Sequence, residues 1–289
     1  MNSATNDRGL WGSELVLRII SAVILIIVVL SATWLGSFYF ELMWAIVAFA
    51  IWYEFSEIVK SAISPLQKNT ILVILLSSIT AWIFFDKSAA ILIAGSGIFL
   101  MLVWGLVFSS ALWAPIVMAY AVVPFVAINS LRGDEVAGMT IILILFASVW
   151  GADILAYFAG KLIGGPKLAP KISPKKTWSG FIGGLIGSLL LVWAVLLVMG
   201  YQASFPLLAL VLMLAVFAQI GDLAESALKR RFDVKDSSGL IPGHGGVLDR
   251  VDGLVFSTVV LWLFMLPLSD LANFPDISSN VFVDAFLLP

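Results

Sequence analysis

Long uncharged stretches bounded by charged residues dominate the chain. They lie at 19–40, 69–85, 88–131, 136–152, 177–221 and 253–269. A membrane-spanning helix needs about 20 mostly apolar residues. The stretches 88–131 and 177–221 can therefore each hold two helices, with breaks near Ser109–Ser110 and Gly200–Phe205. A further apolar stretch lies between Glu41 and Glu54. The pattern predicts about nine spanning helices, at 17–36, 38–56, 70–85, 89–108, 111–131, 138–159, 179–199, 205–227 and 253–268.

Positive charge is unevenly distributed between the two ends of these predicted helices. With a cytoplasmic N-terminus, 14 of the 16 lysines and arginines fall on the cytoplasmic side, and only Lys87 and Arg132 fall outside. Cytoplasmic loops of membrane proteins carry such an excess. We therefore predict a protein of the cell membrane whose N-terminus is cytoplasmic and whose C-terminus is outside. The first predicted helix is too long for a removable signal peptide, so we expect it to be retained.

Composition agrees with this class and narrows the chemistry. Apolar residues make up 61% of the chain and charged residues 12%, whereas a soluble domain carries about a quarter charged residues. The chain has no cysteine and one histidine, His244, which excludes disulfides, a cysteine nucleophile and multi-histidine metal sites. We predict an all-α, polytopic membrane fold. Its N-terminal region, 1–135, holds about five membrane helices, and its catalytic region, 136–289, carries cytoplasmic loops at 161–178 and 229–251.

Acidic residues lie within or beside the predicted helices. Asp153 is inside the sixth, Asp222 and Glu225 are three residues apart in the eighth, and Asp249 and Asp252 repeat that spacing before the ninth. Residues three apart share a helix face, and ionisable groups in membrane segments usually face a cavity or a partner. Helix packing would gather these carboxylates into the kind of cluster that binds Mg²⁺. The alternative is simple pairing with basic residues at the helix boundary.

The segment 240–250, LIPGHGGVLDR, is rich in glycine and flanked by positive charge. The glycines around His244 would allow backbone N–H groups to approach an anion closely. The flanking basic residues are Lys229, Arg230, Arg231, Lys235 and Arg250. The segment therefore favours a polyphosphate site. The alternative is a tight loop in which His244 is structural and the basic residues reflect only membrane orientation.

A second basic segment, 160–180, contains five lysines and three prolines, so we expect it to be extended or turning. Two interpretations stay open. The lysines attract anionic lipids without further specificity, or Ser173, Lys175, Lys176 and Thr177 hold a phosphate at the start of the seventh predicted helix. Small-residue spacing in that helix, at glycines 180, 183, 184 and 187, predicts close packing against a neighbour.

Two other classes of membrane protein also use intramembrane acids. A cation- or proton-coupled transporter would place them near the midplane, whereas here they fall at the cytoplasmic third of their helices; this class stays as an alternative. A CDP-alcohol phosphotransferase would carry D-G-x-x-A-R and G-x-x-x-D-x-x-x-D, and neither string occurs in the sequence. We expect no nucleic-acid partner.

The segment 226–252 resembles the signature of phosphatidate cytidylyltransferases, also called CDP-diacylglycerol synthases. The matching elements are Ser226, Lys229-Arg230, Lys235-Asp236, His244-Gly245-Gly246 and Asp249-Arg250-Val251-Asp252. The segments 171–184 and 218–226 are similar to further shared blocks of that family. Ser179 departs from the pattern, since many members have glutamate there.

The resemblance implies that CTP and phosphatidate react to give CDP-diacylglycerol and pyrophosphate, in an all-helical membrane homodimer. It also implies Mg²⁺ bound by Asp222, Asp249 and Asp252, with a second cation as an open addition. The candidate catalytic residues are Asp222, Asp249, Asp252, Lys235 and His244. The candidate substrate-binding residues are Ser173, Lys175, Lys176, Thr177, Lys229, Arg230, Asp236, Gly245, Gly246 and Arg250.

Overall fold

The computed structural model describes residues 7–108, 112–133, 136–268 and 279–288. Within these ranges the chain is mainly helical. The helices are α1 (Asp7–Leu35), α2 (Ser37–Ile58), α3 (Pro65–Phe84), α4 (Lys87–Val107), α5 (Trp113–Arg132), α6 (Val136–Leu162), α7 (Trp178–Met199), α8 (Phe205–Arg231), α9 (Leu248–Met265) and α10 (Ser279–Phe286). A 3-10 helix follows α9 at Leu266–Leu268. The strands are β1 (Lys167–Ala169), β2 (Ser173–Thr177), β3 (Gln202–Ala203) and β4 (Leu287–Leu288).

Apolar composition forms these helices because a backbone surrounded by lipid must satisfy its hydrogen bonds internally. Seven of the described helices, α2 to α8, are long and apolar enough to cross a membrane, which confirms a polytopic membrane protein. The apolar part of α1 is Ile19–Leu35. Helix α9 carries three charged residues in its first turns, so its apolar part is shorter than the other spans.

Two predicted breaks can be compared with the structure. Gly200 adopts the left-handed conformation, with φ of 77°, and ends α7. The side chain of Ser204 then caps α8 by accepting a hydrogen bond from the backbone N–H of Leu207 at 3.3 Å. The break at 200–205 is therefore confirmed, whereas the break near Ser109–Ser110 lies outside the described residues.

Close packing of α6 on α7 depends on small residues, as the glycine spacing predicts. The glycines of α7 that face its neighbours are buried, and a Cβ on Gly187 would overlap the carbonyl group of Gly151 in α6. Helix α8 packs against α9 at a similar contact. A Cβ on Gly221 would lie 2.6 Å from the carbonyl oxygen of Asp252. Backbones that approach this closely fix the relative positions of the polar side chains on these helices.

Parts of the two basic segments are helical and parts are extended, so the helix boundaries beside them differ from the predicted ones. Residues 167–177 form a short antiparallel hairpin of β1 and β2, in agreement with an extended segment. Helix α8 continues through Arg231, so Lys229 and Arg230 belong to its last turn and not to a loop. Helix α9 begins at Leu248, earlier than the predicted residue 253. Both extensions are electrostatically favourable, because bases stabilise helix C-termini and acids stabilise N-termini.

The C-terminal segment packs at the end of the bundle where α7 connects to α8. Strand β4 pairs with β3 in that connection, and the Ser204 hydroxyl donates a hydrogen bond of 2.6 Å to the carbonyl of Phe286. Since α8 has 27 residues and rises about 1.5 Å per residue, its other end lies about 40 Å away. We call that other end, where α8 ends and α9 begins, the site end.

Candidate active site

Most of the candidate residues come together at the site end. The connection between α8 and α9, which we call the glycine loop (residues 232–247), lies here beside β2 and the last turns of α2. The arrangement follows from the sequence order. The charged residues of α8 lie near its C-terminal end, and those of α9 lie near its N-terminal end. The glycine loop joins these two ends and so places them on the same side of the apolar layer.

Asp249 is the centre of the first polar cluster. Its Oδ1 atom lies 2.6 Å from the Nζ atom of Lys229, which also lies 2.7 Å from Oε2 of Glu225. The side chains of Lys229, Glu225 and Asp249 are only 14%, 3% and 10% exposed. A buried cation between two carboxylates is costly to lose, because it would leave uncompensated charge. Lys229 therefore connects α8 to α9 through an ion pair that has little access to solvent.

The second oxygen of Asp249 is held by the glycine loop. Oδ2 accepts hydrogen bonds from the Ser237 N–H at 3.1 Å, the Ser237 hydroxyl at 2.9 Å and the Gly246 N–H at 2.9 Å. Donors therefore hold both oxygens of Asp249, Lys229 at Oδ1 and Ser237 and Gly246 at Oδ2. The backbone N–H of Gly246, expected to face a phosphate, is thus engaged within the protein.

Asp222 and Lys176 form a second ion pair, with 2.7 Å between Oδ2 and Nζ. The Ser226 hydroxyl donates to Oδ1 of Asp222 at 3.3 Å, and the Asp222 side chain is 39% exposed. Lys176 reaches α8 from β2, on the opposite face of that strand from the exposed Lys175. The two lysines that we predicted on one phosphate therefore point to different sides of the hairpin.

The other acids of α6 and α9 face the same region. Asp252 lies close enough to Asp222, Glu225 and Asp153 for each of these carboxylates to act on its charge. The Oδ1 atom of Asp252 accepts a hydrogen bond from the Gly253 N–H at 2.8 Å. Lys176 pairs with this acidic group through Asp222, and Lys229 pairs with it through Glu225. Like charges held this close attract a cation.

The three acids predicted to bind Mg²⁺ differ in how well they fit that role. Among the described residues, no group of three Asp, Glu, His or Cys side chains is close enough to enclose an ion. Asp222 and Asp252 are suitable, since both are carboxylates of the acidic group and Mg²⁺ commonly takes only one or two from a protein. Asp249 is already engaged at both oxygens. It can join them only through Oδ1, by releasing Lys229.

Glu54, near the end of α2, is a site residue that the sequence reasoning missed. Its side chain is completely buried. Oε1 accepts hydrogen bonds from the Val247 N–H at 2.9 Å and from the Ser238 hydroxyl, and Oε2 accepts from the Leu248 N–H at 2.6 Å and the Ser237 hydroxyl at 3.1 Å. A charged residue at the end of an apolar stretch was the available signal. Nothing in the sequence pairs it with a loop more than 180 residues later.

His244 is held on both sides by groups from α1 and α9. Its Nδ1 atom lies 2.7 Å from the Ser21 hydroxyl of α1. Its carbonyl oxygen accepts two hydrogen bonds from the Arg250 guanidinium, at 3.0 Å and 2.7 Å. Gly243 and Gly245 beside it both have positive φ, 75° and 85°, a conformation that glycine adopts without strain. The HGG turn is therefore fixed by local backbone geometry and by contacts from two helices.

The remaining candidates lie around this cluster. Thr177 is buried and caps α7 by accepting a hydrogen bond from the Gly180 N–H at 3.1 Å, which gives it a structural role. Ser173 is partly buried at the start of β2. The exposed candidates of the α8 end and the glycine loop are Arg230, Lys235 and Asp236. The two exposed basic residues among them remain accessible to a soluble anion.

Residues 16–268 match the Cytidylyltransferase family. A protein named phosphatidate cytidylyltransferase from Brucella suis biovar 1 is 41% identical over 281 residues, which cover 93% of this chain and 98% of the relative. A protein of the same name from Haemophilus influenzae is 34% identical, over 82% of this chain and 93% of the relative. One from Bacillus subtilis is 44% identical over 138 residues, 47% of this chain and 51% of the relative.

Proposed function

The chain belongs to the cytidylyltransferase family, and we propose on that premise that it transfers the CMP group of CTP to phosphatidate. The products are CDP-diacylglycerol and pyrophosphate, and the reaction serves phospholipid synthesis. The observation that carries the proposal is the similarity to phosphatidate cytidylyltransferases along 93% of the chain. The polar cluster at one end of the apolar helices supports it, because a lipid headgroup lies at that depth. A transporter would have its acids near the midplane.

Little general-base chemistry is needed for this reaction. A phosphomonoester has its second pKa near 6, so the phosphatidate phosphate is largely dianionic at neutral pH and attacks without prior deprotonation. One of its oxygens bonds to the α-phosphorus of CTP, and the bond from that phosphorus to the bridging oxygen of the β-phosphate breaks. The electron pair leaves with pyrophosphate. The main barrier is repulsion between anions, which positive groups and correct positioning reduce.

The basic residues of the site supply that positive charge. Arg230, at the end of α8, and Lys235, in the glycine loop, are exposed and bind the triphosphate from the solvent side. Lys229 and Arg250, which bridge to Asp249 and to the His244 carbonyl, hold the loop in place and add to the local potential. Lys176 meets the phosphatidate headgroup at the acidic cluster. Ser173 and Lys175 lie on the other face of β2, where Lys175 attracts anionic lipid at the membrane surface.

A divalent cation, Mg²⁺, completes the proposed site. Asp222 and Asp252 would hold it, and Asp249 would join them by exchanging Lys229 for the ion. When bound, such an ion neutralises phosphate oxygens and orients them. Without it, the acidic group would repel both substrates. A second cation and the roles of Asp236 and His244 in orienting the triphosphate belong to the same proposal.

We further propose nine spans, with α1 and α9 crossing the cell membrane beside α2 to α8, and a homodimer as the functional unit. The N-terminus and both basic segments then face the cytoplasm, and the C-terminal segment faces outside. The absence of cysteine makes this simple to test. In oriented vesicles, Lys235→Cys and Asp284→Cys should react with an impermeant maleimide from opposite sides, and labelling of both from one side would contradict the topology.

The activity itself is tested with the purified protein in detergent or proteoliposomes. We expect radiolabelled CTP and phosphatidate to yield labelled CDP-diacylglycerol only when Mg²⁺ is present. Asp222→Asn should reduce the rate and weaken the response to Mg²⁺. No product from the wild-type protein with Mg²⁺ and both substrates would refute the proposal.

The headgroup assignment has a matched control within the hairpin. Lys176→Ala removes the base paired with Asp222 and should raise the KM for phosphatidate while CTP binding is retained. Lys171→Ala changes an exposed lysine in the turn of the same hairpin and should leave both parameters unchanged. Equal effects of the two substitutions would indicate only general attraction to anionic lipid.

A further inference from the structure

Glu54 holds the two ends of the glycine loop together from a distant part of the chain. Its carboxylate accepts hydrogen bonds from four groups, two at residues 237–238 and two at residues 247–248. The first two are the hydroxyls of Ser237 and Ser238, and the last two are the backbone N–H groups of Val247 and Leu248. These donors occupy both oxygens of the carboxylate, and the single hydroxyl hydrogen of Ser237 is shared between Glu54 and Asp249. The residues between, 239–246, form a closed loop, because both of its ends are bonded to Glu54.

The Glu54 carboxylate is linked to Asp249 through Ser237. The Ser237 hydroxyl lies 3.1 Å from Oε2 of Glu54 and 2.9 Å from Oδ2 of Asp249. Gly246 lies between the two carboxylates, because a Cβ there would be 2.6 Å and 2.7 Å from the oxygens of Glu54. The Leu248 N–H that Glu54 accepts immediately precedes Asp249 in α9. A displacement of Glu54 would therefore move Asp249 and the HGG turn together.

Glu54 is isolated from the surroundings in which substrates would lie. It is completely buried, and its four partners surround the carboxylate. It belongs to α2, in the N-terminal region that carries none of the signature residues. A buried N–H or hydroxyl group that loses its acceptor is left unsatisfied, which destabilises the conformation that buries it. The loop conformation thus depends on a charge from outside the loop.

We propose that Glu54 is a positioning residue for turnover: it closes the glycine loop and thereby sets Asp249 and His244 in their working arrangement. The proposal rests on the proposed function, since it concerns that same site. It assigns to the N-terminal helices a part in the chemistry beyond anchoring in the membrane. Glu54 acts through the loop and touches neither the substrates nor an ion.

The test compares Glu54→Gln with Glu57→Gln. Glu57 lies one turn later on α2, is 39% exposed, and pairs with Lys68 and Lys60 but not with the loop. The amide of glutamine presents an N–H₂ group to donors and loses acceptor positions. Residues that orient a site group typically change activity about 10- to 100-fold. We expect Glu54→Gln to lower kcat by that factor with the KM for CTP unchanged, and Glu57→Gln to leave both at wild-type values.

Amide hydrogen exchange without substrate provides a readout that is independent of the reaction. Exchange at Val247 and Leu248 should be faster in Glu54→Gln than in the wild type, and unchanged in Glu57→Gln. If the wild type makes no CDP-diacylglycerol, the proposed function fails while the exchange data still decide the role of Glu54. Wild-type exchange and kcat in Glu54→Gln would overturn the inference. So would an equal loss of kcat in Glu57→Gln.

A conservative variant covers the case in which Glu54→Gln does not fold. Glu54→Asp keeps both oxygens and the charge but shortens the side chain by one methylene. We expect faster exchange at the same two amides and a smaller loss of kcat than in Glu54→Gln, with a normal melting temperature. A Glu54→Asp protein with wild-type exchange and kcat would overturn the inference. So would a lowered melting temperature with no change in kcat, because that pattern indicates a structural role alone.

Discussion

Gly246 offers a sharp test of how tightly the glycine loop is built. A Cβ at this position would overlap the hydroxyl of Ser237 and lie 2.6 Å and 2.7 Å from the carboxylate oxygens of Glu54. Real Cβ contacts do not occur at such distances, so Gly246→Ala must displace one of these groups. The φ of Gly246 is not positive, so the backbone conformation itself is open to alanine. Space alone decides the outcome.

The expected loss of activity follows from the groups that the added methyl group would displace. Overpacking by one methyl group in a well-packed region costs about 1–3 kcal/mol. If that cost falls on the closed loop, the ratio of closed to open loop decreases by a factor of about 5 to 150, since each 1.4 kcal/mol is tenfold. Only the closed loop holds Asp249 in place through Ser237 and Gly246. We expect kcat of Gly246→Ala to fall by up to this factor.

Gly239 is the matched control in the same loop. A Cβ at Gly239 meets nothing within 4 Å, and its φ is not positive. Cytidylyltransferase activity at saturating CTP and thermal unfolding would be measured for both variants. Gly239→Ala should match the wild type in both assays. Wild-type activity and melting temperature in Gly246→Ala, or equal damage in the two variants, would refute this account of the loop.

Two other contacts give predictions of their own. Lys229→Met removes the cation between two carboxylates that are 3% and 10% exposed, so the free energy of unfolding should fall by about 3–5 kcal/mol. The control is Lys60, which is 75% exposed and belongs to a surface ion pair worth about 0–1 kcal/mol. Lys60→Met should therefore unfold like the wild type. Similar denaturation midpoints for Lys229→Met and Lys60→Met would contradict a stabilising buried pair. Ser21→Ala removes the hydroxyl 2.7 Å from Nδ1 of His244, the only histidine of the chain. Its ring ¹⁵N resonances should therefore shift, and an unchanged spectrum would exclude the contact.

The helices of this protein are largely readable from local sequence. Each predicted helix from 17–36 to 253–268 coincides with one of α1 to α9. The boundaries that differ lie at charged ends, such as Arg231 and Leu248, where helix dipoles extend the helix beyond the apolar stretch. The small-residue spacing of α7 also predicted its close packing on α6. These features depend on residues only a few positions apart.

The candidate site was predictable in part. The acids at spacing of three and the glycines around His244 marked the end of the bundle where the polar side chains gather, because charge in an apolar chain is confined to few positions. Which base meets which acid was not predictable. Lys176 pairs with Asp222 across 46 residues, and Lys229 bridges Glu225 and Asp249. The alternation of side chains on β2 then separates Lys175 from Lys176.

Hydropathy alone determined that the chain forms membrane helices and which stretches form them, since a backbone in lipid must bond to itself within each helix. Tertiary structure alone decided that Glu54 closes the glycine loop, 194 residues away from its Leu248 partner, and that Ser21 meets His244. Such partners are chosen by how the helices pack, through small contacts summed over many residues. No short stretch of sequence contains that information.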